Sequence, residues 1–140
     1  MFKKNLKIKI CTLILAMVLL VTTPFMTVSA VGQYAGSIRN SSGTLLANTT
    51  MGCSTSGMNG STSNANLSVV YYVTVQVQLM ARSPLVGNLT WNNSVVSHST
   101  KASDSLSLPS GNTAYAWITT HEARNSVPTV LGSGTLKDNW

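Results

Sequence analysis

Apolar and polar residues alternate between Leu67 and Met80, and this is the clearest pattern in the chain. The odd-numbered positions of this run are all apolar, whereas the even-numbered positions include Ser68, Thr74 and Gln76. Successive side chains of a strand point to opposite faces, so a period of two predicts a β-strand with one buried face. At roughly 3.3 Å per residue the run would reach about 45 Å, so we expect a bend or bulge within it.

Shorter runs with the same period predict further strands on both sides of this one. They cover residues 44–55, 89–96, 101–108, 113–123 and 127–136. Pro128, Gly132 and Gly134 interrupt the last of these runs, which is typical of an edge strand. Outside the first thirty residues no helical period is present, so the sequence predicts an all-β protein. We expect a single small antiparallel β-sandwich, of Ig-like or Greek-key style, or a small barrel.

Two segments lack the alternation and are rich in small polar residues. Residues 57–64 contain the turn dipeptide Asn59-Gly60, and we interpret them as a connector between strands. Residues 31–43 are mostly small and polar, with three glycines and three serines, and we interpret them as a flexible N-terminal segment. The sandwich domain is therefore predicted to span residues 44–140.

The first thirty residues have the three-part pattern of a secretory signal peptide. Four lysines occur up to Lys9, residues 10–21 are apolar, and Val28-Ser29-Ala30 supplies the small residues of a cleavage site. The apolar run is shorter than the roughly 20 residues that a membrane-spanning helix needs. We expect residues 1–30 to be removed and the protein to be secreted, extracellular or associated with the cell envelope. The lysine-rich leader favours a bacterial source.

Removing this leader changes the charge and the cysteine content. The whole chain carries a net charge of +6, but residues 31–140 hold five basic and three acidic residues, which leaves about +2. Such a small, scattered charge argues against a nucleic-acid partner, and we expect membrane contact only during export. Cys53 remains as a single thiol, which predicts either a small buried residue or a reactive or dimerising cysteine.

The groups that could carry catalysis are few and fit no catalytic motif. They are Cys53, His98, Asp104, His121, Glu122 and Asp138. A Cys53–His98 or Cys53–His121 dyad has none of the local sequence that accompanies catalytic cysteines, and two histidines 23 positions apart match no zinc spacing. We therefore predict no enzymatic activity, no metal and no cofactor.

The tryptophans are the remaining functional hint. Trp91 and Trp140 are candidates for a surface contact with another protein or a cell-surface glycan, whereas Trp117 is interpreted as a core residue. An exposed edge strand or Cys53 could also support self-association. The predicted function is a non-enzymatic interaction or cell-envelope-associated module. The alternative is a secreted antimicrobial, bacteriocin-like or toxin-like protein, suggested by small size, export and mild positive charge.

Overall fold

A computed structural model describes residues 32–93, 95–126 and 129–139. The predicted signal peptide and Trp140 lie outside these residues. Within the described part of the chain, nine strands form two antiparallel sheets. The strands are β1 (Gly32–Arg39), β2 (Leu45–Cys53), β3 (Gly57–Asn64), β4 (Tyr72–Ser83), β5 (Gly87–Asn92), β6 (Val96–His98), β7 (Lys101–Ser107), β8 (Thr113–Arg124) and β9 (Val130–Asn139). No helix long and apolar enough to cross a membrane occurs among the described residues.

The strand order identifies a β-sandwich. The first sheet has the order β1-β2-β3-β7, and the second has the order β5-β4-β8-β9 with β6 beside β4. In Ig-type sandwiches, strands B and E are neighbours in one sheet and strands C and F in the other. The pairs β3–β7 and β4–β8 reproduce this arrangement, with β9 in the position of strand G. The expectation of an antiparallel β-sandwich is confirmed.

The alternating run is a strand only from Tyr72 onwards. Val73, Val75, Val77 and Leu79 are fully buried along β4, as the alternation predicts, and a bulge follows Met80. The strand prediction is wrong for residues 67–71, which form a loop. Asn66 carbonyl oxygen accepts hydrogen bonds from the N–H groups of Val69 and Val70, at 3.2 and 2.8 Å, and so folds this stretch into one helical turn.

The core lies between the two sheets and is built from odd-numbered positions of β4 and β8 facing inward side chains of β1, β2 and β3. Its largest fully buried apolar side chains are Trp117, Ile38, Leu46, Met51, Leu79, Val70, Val73, Val75 and Val77. Trp117 has no exposed surface, so its interpretation as a core residue is confirmed. Burial of an aromatic side chain of this size contributes much of the apolar area that stabilises a domain without internal phenylalanine.

The interpretation of residues 57–64 as a connector is wrong, because they form β3 in the interior of the first sheet. Gly60 faces the core where the two sheets lie close together. A Cβ atom there would come within 2.7 Å of Thr119 Cγ2 and 3.1 Å of Val75 Cγ2. Gly60 is therefore needed for the close approach of the sheets and not for a turn.

Residues 32–39, within the segment expected to be flexible, form β1. This strand pairs with β2 over its whole length, from Gly32 opposite Cys53 to Arg39 opposite Leu45. Ile38 is the one side chain of this described strand that is fully buried. Backbone pairing and this single anchor order a segment whose composition alone indicates flexibility, because hydrogen bonds to a neighbouring strand do not depend on side-chain type.

The connections gather at two ends of the sandwich. We call one the loop end; it contains connections 40–44, 65–71 and 99–100 and the junction of β8 with β9. We call the other the hairpin end; it contains connections 54–56, 84–86 and 108–112. The loop end corresponds to the end of an antibody variable domain that carries the B–C and F–G loops.

Candidate functional site

Cys53 lies at the hairpin end and points into the core. Its side chain is 2% exposed, and its thiol donates a hydrogen bond to Asp138 Oδ2 at 3.1 Å. Burial raises the pKa of the Cys53 thiol to about 11, and the Asp138 carboxylate adds to the rise. The same carboxylate raises the pKa of Tyr34 by accepting its hydrogen bond. A protonated, buried thiol is a poor nucleophile, so this geometry favours a packing role for Cys53.

His121 lies in the middle of the core and is fully buried. Thr62 Oγ1 donates to Thr74 O at 2.8 Å, so its oxygen accepts a hydrogen bond from His121 Nδ1 at 2.7 Å. His121 Nε2 is then the acceptor for Thr119 Oγ1, also at 2.7 Å. Burial lowers the pKa of His121 to about 4, so the ring is neutral at physiological pH.

This histidine network joins β3 to β8 across the sandwich. These are the strands that correspond to B and F, which a disulfide joins in antibody domains. In this protein the link is the hydrogen bond between Thr62 and His121. Both ring nitrogens of His121 are satisfied by threonine hydroxyls, which assigns the residue a structural role.

The structure does not bring the candidate catalytic groups together. Cys53 contacts Asp138, His121 contacts threonines, and Glu122 accepts hydrogen bonds from Arg124 on the outside of the second sheet. Neither the Cys53–His98 nor the Cys53–His121 dyad is formed by hydrogen bonding among the described residues. No group of three or more histidine, cysteine or acidic side chains able to hold a metal ion occurs in the described ranges.

Trp91 is half-buried and packs against the core from β5, where it is paired with Leu79 of β4. Part of its side chain stays at the surface, so its predicted role as a surface contact stays a prediction. Trp140 lies outside the described residues, so its predicted role as a surface contact stays a prediction.

Among the described residues, the largest exposed apolar cluster within a single connection is at the loop end. Connection 65–71, which we call the apolar loop, exposes 71% of Leu67, 48% of Val69 and 65% of Tyr71. Its remaining large apolar residue, Val70, is 1% exposed and fixes the loop to the core. An ordered loop that buries one apolar side chain and exposes three others is typical of a contact surface.

Asparagine side chains hold the apolar loop in place. Asn64 Nδ2 donates to Val70 O and to Ser99 O, each at 2.9 Å, and so links the loop to the β6–β7 connection. Asn64 Oδ1 accepts the N–H of Asn66 at 2.9 Å, and Ser68 Oγ donates to Asn66 Oδ1 at 2.7 Å. These contacts satisfy backbone groups that a loop would otherwise leave to water, and they limit the conformations of the loop.

The apolar loop is also joined to the end of β8. Tyr71 N–H donates to Arg124 O at 2.8 Å, and the rings of Tyr71 and Tyr72 meet edge to face with centroids 6.3 Å apart. Arg124 in turn donates to Glu122 Oε2 through Nε at 2.8 Å and through Nη2 at 2.5 Å. The loop, the tyrosine pair and this ion pair form one connected surface.

The excess positive charge of the described residues lies at the loop end. Arg39 ends β1, Lys101 begins β7 and Arg124 ends β8, and Glu122 lies two residues before Arg124. Asp104 lies further along β7, where it lines a shallow pocket together with Lys101. The charged residues elsewhere in the described ranges balance one another: Arg82, Lys137, Asp104 and Asp138. The loop end therefore carries a net charge of about +2 and the remainder about zero.

The outer face of the first sheet has a different character. Its outward positions hold small polar side chains, and a shallow groove of about 740 Å³ crosses it beside Gln33, Gly52 and Asn59. Thr50 and Ser61 share a hydrogen bond of 2.8 Å across β2 and β3 on this face. The lining lacks a large exposed anchor among the described residues, so the groove is a weaker candidate than the loop end.

Sequence reasoning missed the apolar loop because Leu67, Val69 and Tyr71 continue the alternation of β4. The signal that could have found it is the Asn64-Ala65-Asn66 segment, since asparagine side chains favour turns by bonding to nearby backbone. Comparison of the chain with protein-family models, with curated proteins and with solved structures found no match.

Proposed function

We propose that the protein is a non-enzymatic interaction module of the cell envelope and that the loop end is its binding surface. The observation that carries this proposal is the apolar loop, which exposes Leu67, Val69 and Tyr71 on a hydrogen-bonded framework. A loop that is already ordered loses little conformational entropy on binding, so more of its contact energy appears as affinity. Secretion by a bacterium remains part of this proposal.

The test compares the two ends of the sandwich on intact Gram-positive cells. The protein is recovered from the medium of an expressing host, and its intact mass defines its N-terminus. We expect it to sediment with cells, and we expect L67S/Y71S to remain in the supernatant. The control L85S/V86S removes two exposed apolar side chains at the hairpin end and should sediment like the unmodified protein. Equal binding of the three proteins, or binding by none, would contradict the proposal.

A second candidate is a secreted antimicrobial or toxin-like protein. The concentration of positive charge beside the apolar loop favours it, because bacterial surfaces are anionic. Growth inhibition of neighbouring strains at micromolar protein, lost in L67S/Y71S, would select this candidate. Cell binding without inhibition would select the first.

A further inference from the structure

We infer that the partner of the loop end is an anionic lipid surface. Leu67, Val69 and Tyr71 would enter the interfacial region, and Arg39 and Lys101 would face the lipid phosphates. This inference rests on the proposed function, because it names the partner of the same surface. It also departs from the expectation that the protein meets a membrane only during export.

The side-chain chemistry of the apolar loop fits the boundary between lipid headgroups and acyl chains. Leucine and valine gain free energy when they leave water, and tyrosine is enriched at membrane interfaces because its ring is apolar and its hydroxyl is polar. Leu67 and Tyr71 have most of their surface free for such a transfer. The helical turn of the loop pairs its own backbone groups at Val69 and Val70, which reduces the number of polar groups that insertion would dehydrate.

The charges beside the loop fit an anionic surface rather than a neutral one. Arg39 donates to Gly43 O at 2.8 Å through Nη1, and its guanidinium has further N–H donors that can meet phosphate oxygens. Lys101 is exposed at the start of β7. Arg124 is neutralised by Glu122, so Arg39 and Lys101 supply the excess charge. Each such cation near an anionic leaflet strengthens binding about fivefold.

The loop end joins the apolar loop to two cations, Arg39 and Lys101. Leu85 and Val86 at the hairpin end are also exposed, but the cation beside them in the chain is Arg82 alone, which donates to Asn88 Oδ1 at 3.4 Å. An apolar tip with cations around it is the arrangement by which peripheral proteins bind anionic membranes. A protein partner would need a complementary pocket and would not require this charge.

The experiment measures sedimentation of the secreted protein with vesicles of phosphatidylcholine, with and without phosphatidylglycerol. We expect binding to the anionic vesicles that weakens as salt is raised. L67S/Y71S should lose about tenfold or more in affinity, and R39Q/K101Q about thirtyfold, whereas L85S/V86S should be unchanged. All substituted side chains are exposed, and far-UV circular dichroism checks the fold of each variant.

Three outcomes would overturn the lipid inference: no vesicle binding, equal binding to neutral and anionic vesicles, or equal losses at the two ends. If a double variant does not fold, two other measurements test the inference. They are the salt dependence of vesicle binding by the unmodified protein and the vesicle affinity of the single variant Leu67→Ser. Cell binding that depends on the loop end, without vesicle binding, would retain the proposed function and replace the lipid by a protein or glycan. Absence of both kinds of binding would remove both proposals.

Discussion

The loop end and the hairpin end both expose apolar side chains, yet we propose only the loop end as a binding surface. Leu85 is 91% exposed and Val86 69%, against 71% for Leu67, the most exposed of the large apolar residues in the apolar loop. Their connection is fixed locally by the Leu85 N–H to Ser83 Oγ hydrogen bond of 3.2 Å and by Gly87, whose φ is 81°. The apolar loop is fixed instead by a buried valine, by the Asn64 bonds that join it to the β6–β7 connection and by the bond from Tyr71 to the end of β8. Exposure alone therefore does not identify a site; anchoring and charge distinguish the two ends.

The largest expected effect concerns His121, whose network holds the sheets together beneath both ends. Its folded-state pKa of about 4 lies below the unfolded value of 6.5, so the unfolded chain takes up the proton first as pH falls. The stability is fully present above pH 6.5 and decreases between pH 6.5 and about 4, by about 3 kcal/mol. Urea unfolding across this pH range measures the loss.

His98, exposed at the loop end, provides the matched control for this acid sensitivity. His121→Gln should remove most of the pH dependence of the free energy of unfolding, since glutamine does not titrate. It should also lower the free energy of unfolding at neutral pH. His98→Gln should leave the pH dependence as it is. A pH dependence that follows His98 instead would place the acid-sensitive element at the loop end and contradict the assignment.

The anchoring difference between the ends is tested by removing one side chain from each. Asn64→Ala deletes three hydrogen bonds that hold the apolar loop, and we expect a loss of about 2 kcal/mol in the free energy of unfolding. Ser83→Ala deletes one hydrogen bond at the hairpin end and should lower it by about 0.5 kcal/mol. Equal losses in urea unfolding would show that the two connections are anchored alike.

A substitution of Cys53 tests whether the hairpin end contains a reactive thiol. Because the thiol is buried and bonded to Asp138, Cys53→Ser should destabilise the fold by about 1 kcal/mol without changing the association state. Intact mass with and without reductant should show a monomer in both cases. A disulfide-linked dimer of the unmodified protein would mean that Cys53 becomes exposed by local unfolding of the hairpin end. It would contradict the packing role of this thiol.

The smallest effect is expected from the exposed apolar residues themselves. Leu67→Ser and Leu85→Ser should each change the free energy of unfolding by less than about 0.5 kcal/mol, since both side chains already contact water. The two variants should then differ in binding and not in stability. A large loss of stability in Leu67→Ser would indicate that Leu67 packs within the fold and would weaken its role in binding.

The sequence allowed the fold class and most strands to be predicted because alternation records which face of a strand is buried. Val73, Val75, Val77 and Leu79 follow the rule without exception. β3 was not predicted because one of its inward positions is Gly60. The two sheets lie too close together there for a side chain, so this position shows no apolar residue in the sequence. β1 was not predicted because it buries a single side chain, Ile38, and one apolar position does not make a periodic pattern.

The candidate site was harder to predict than the fold. Leu67, Val69 and Tyr71 have the spacing of a buried strand face, and only the asparagine hydrogen bonds of the folded loop turn them outward. The grouping of Arg39 with Lys101 depends on strand order, because 61 residues separate them in the chain and both come to lie at one end of the sheet. Tertiary arrangement, which local sequence does not encode, creates this surface.

Amide hydrogen exchange of the secreted protein, free and bound to Gram-positive cells or to anionic vesicles, tests the central claim most directly. We expect added protection in connections 40–44, 65–71 and 99–100 and unchanged exchange in connection 84–86. Added protection at 84–86, or along the outer face of the first sheet with none in the apolar loop, would contradict the assignment of the loop end as the binding surface.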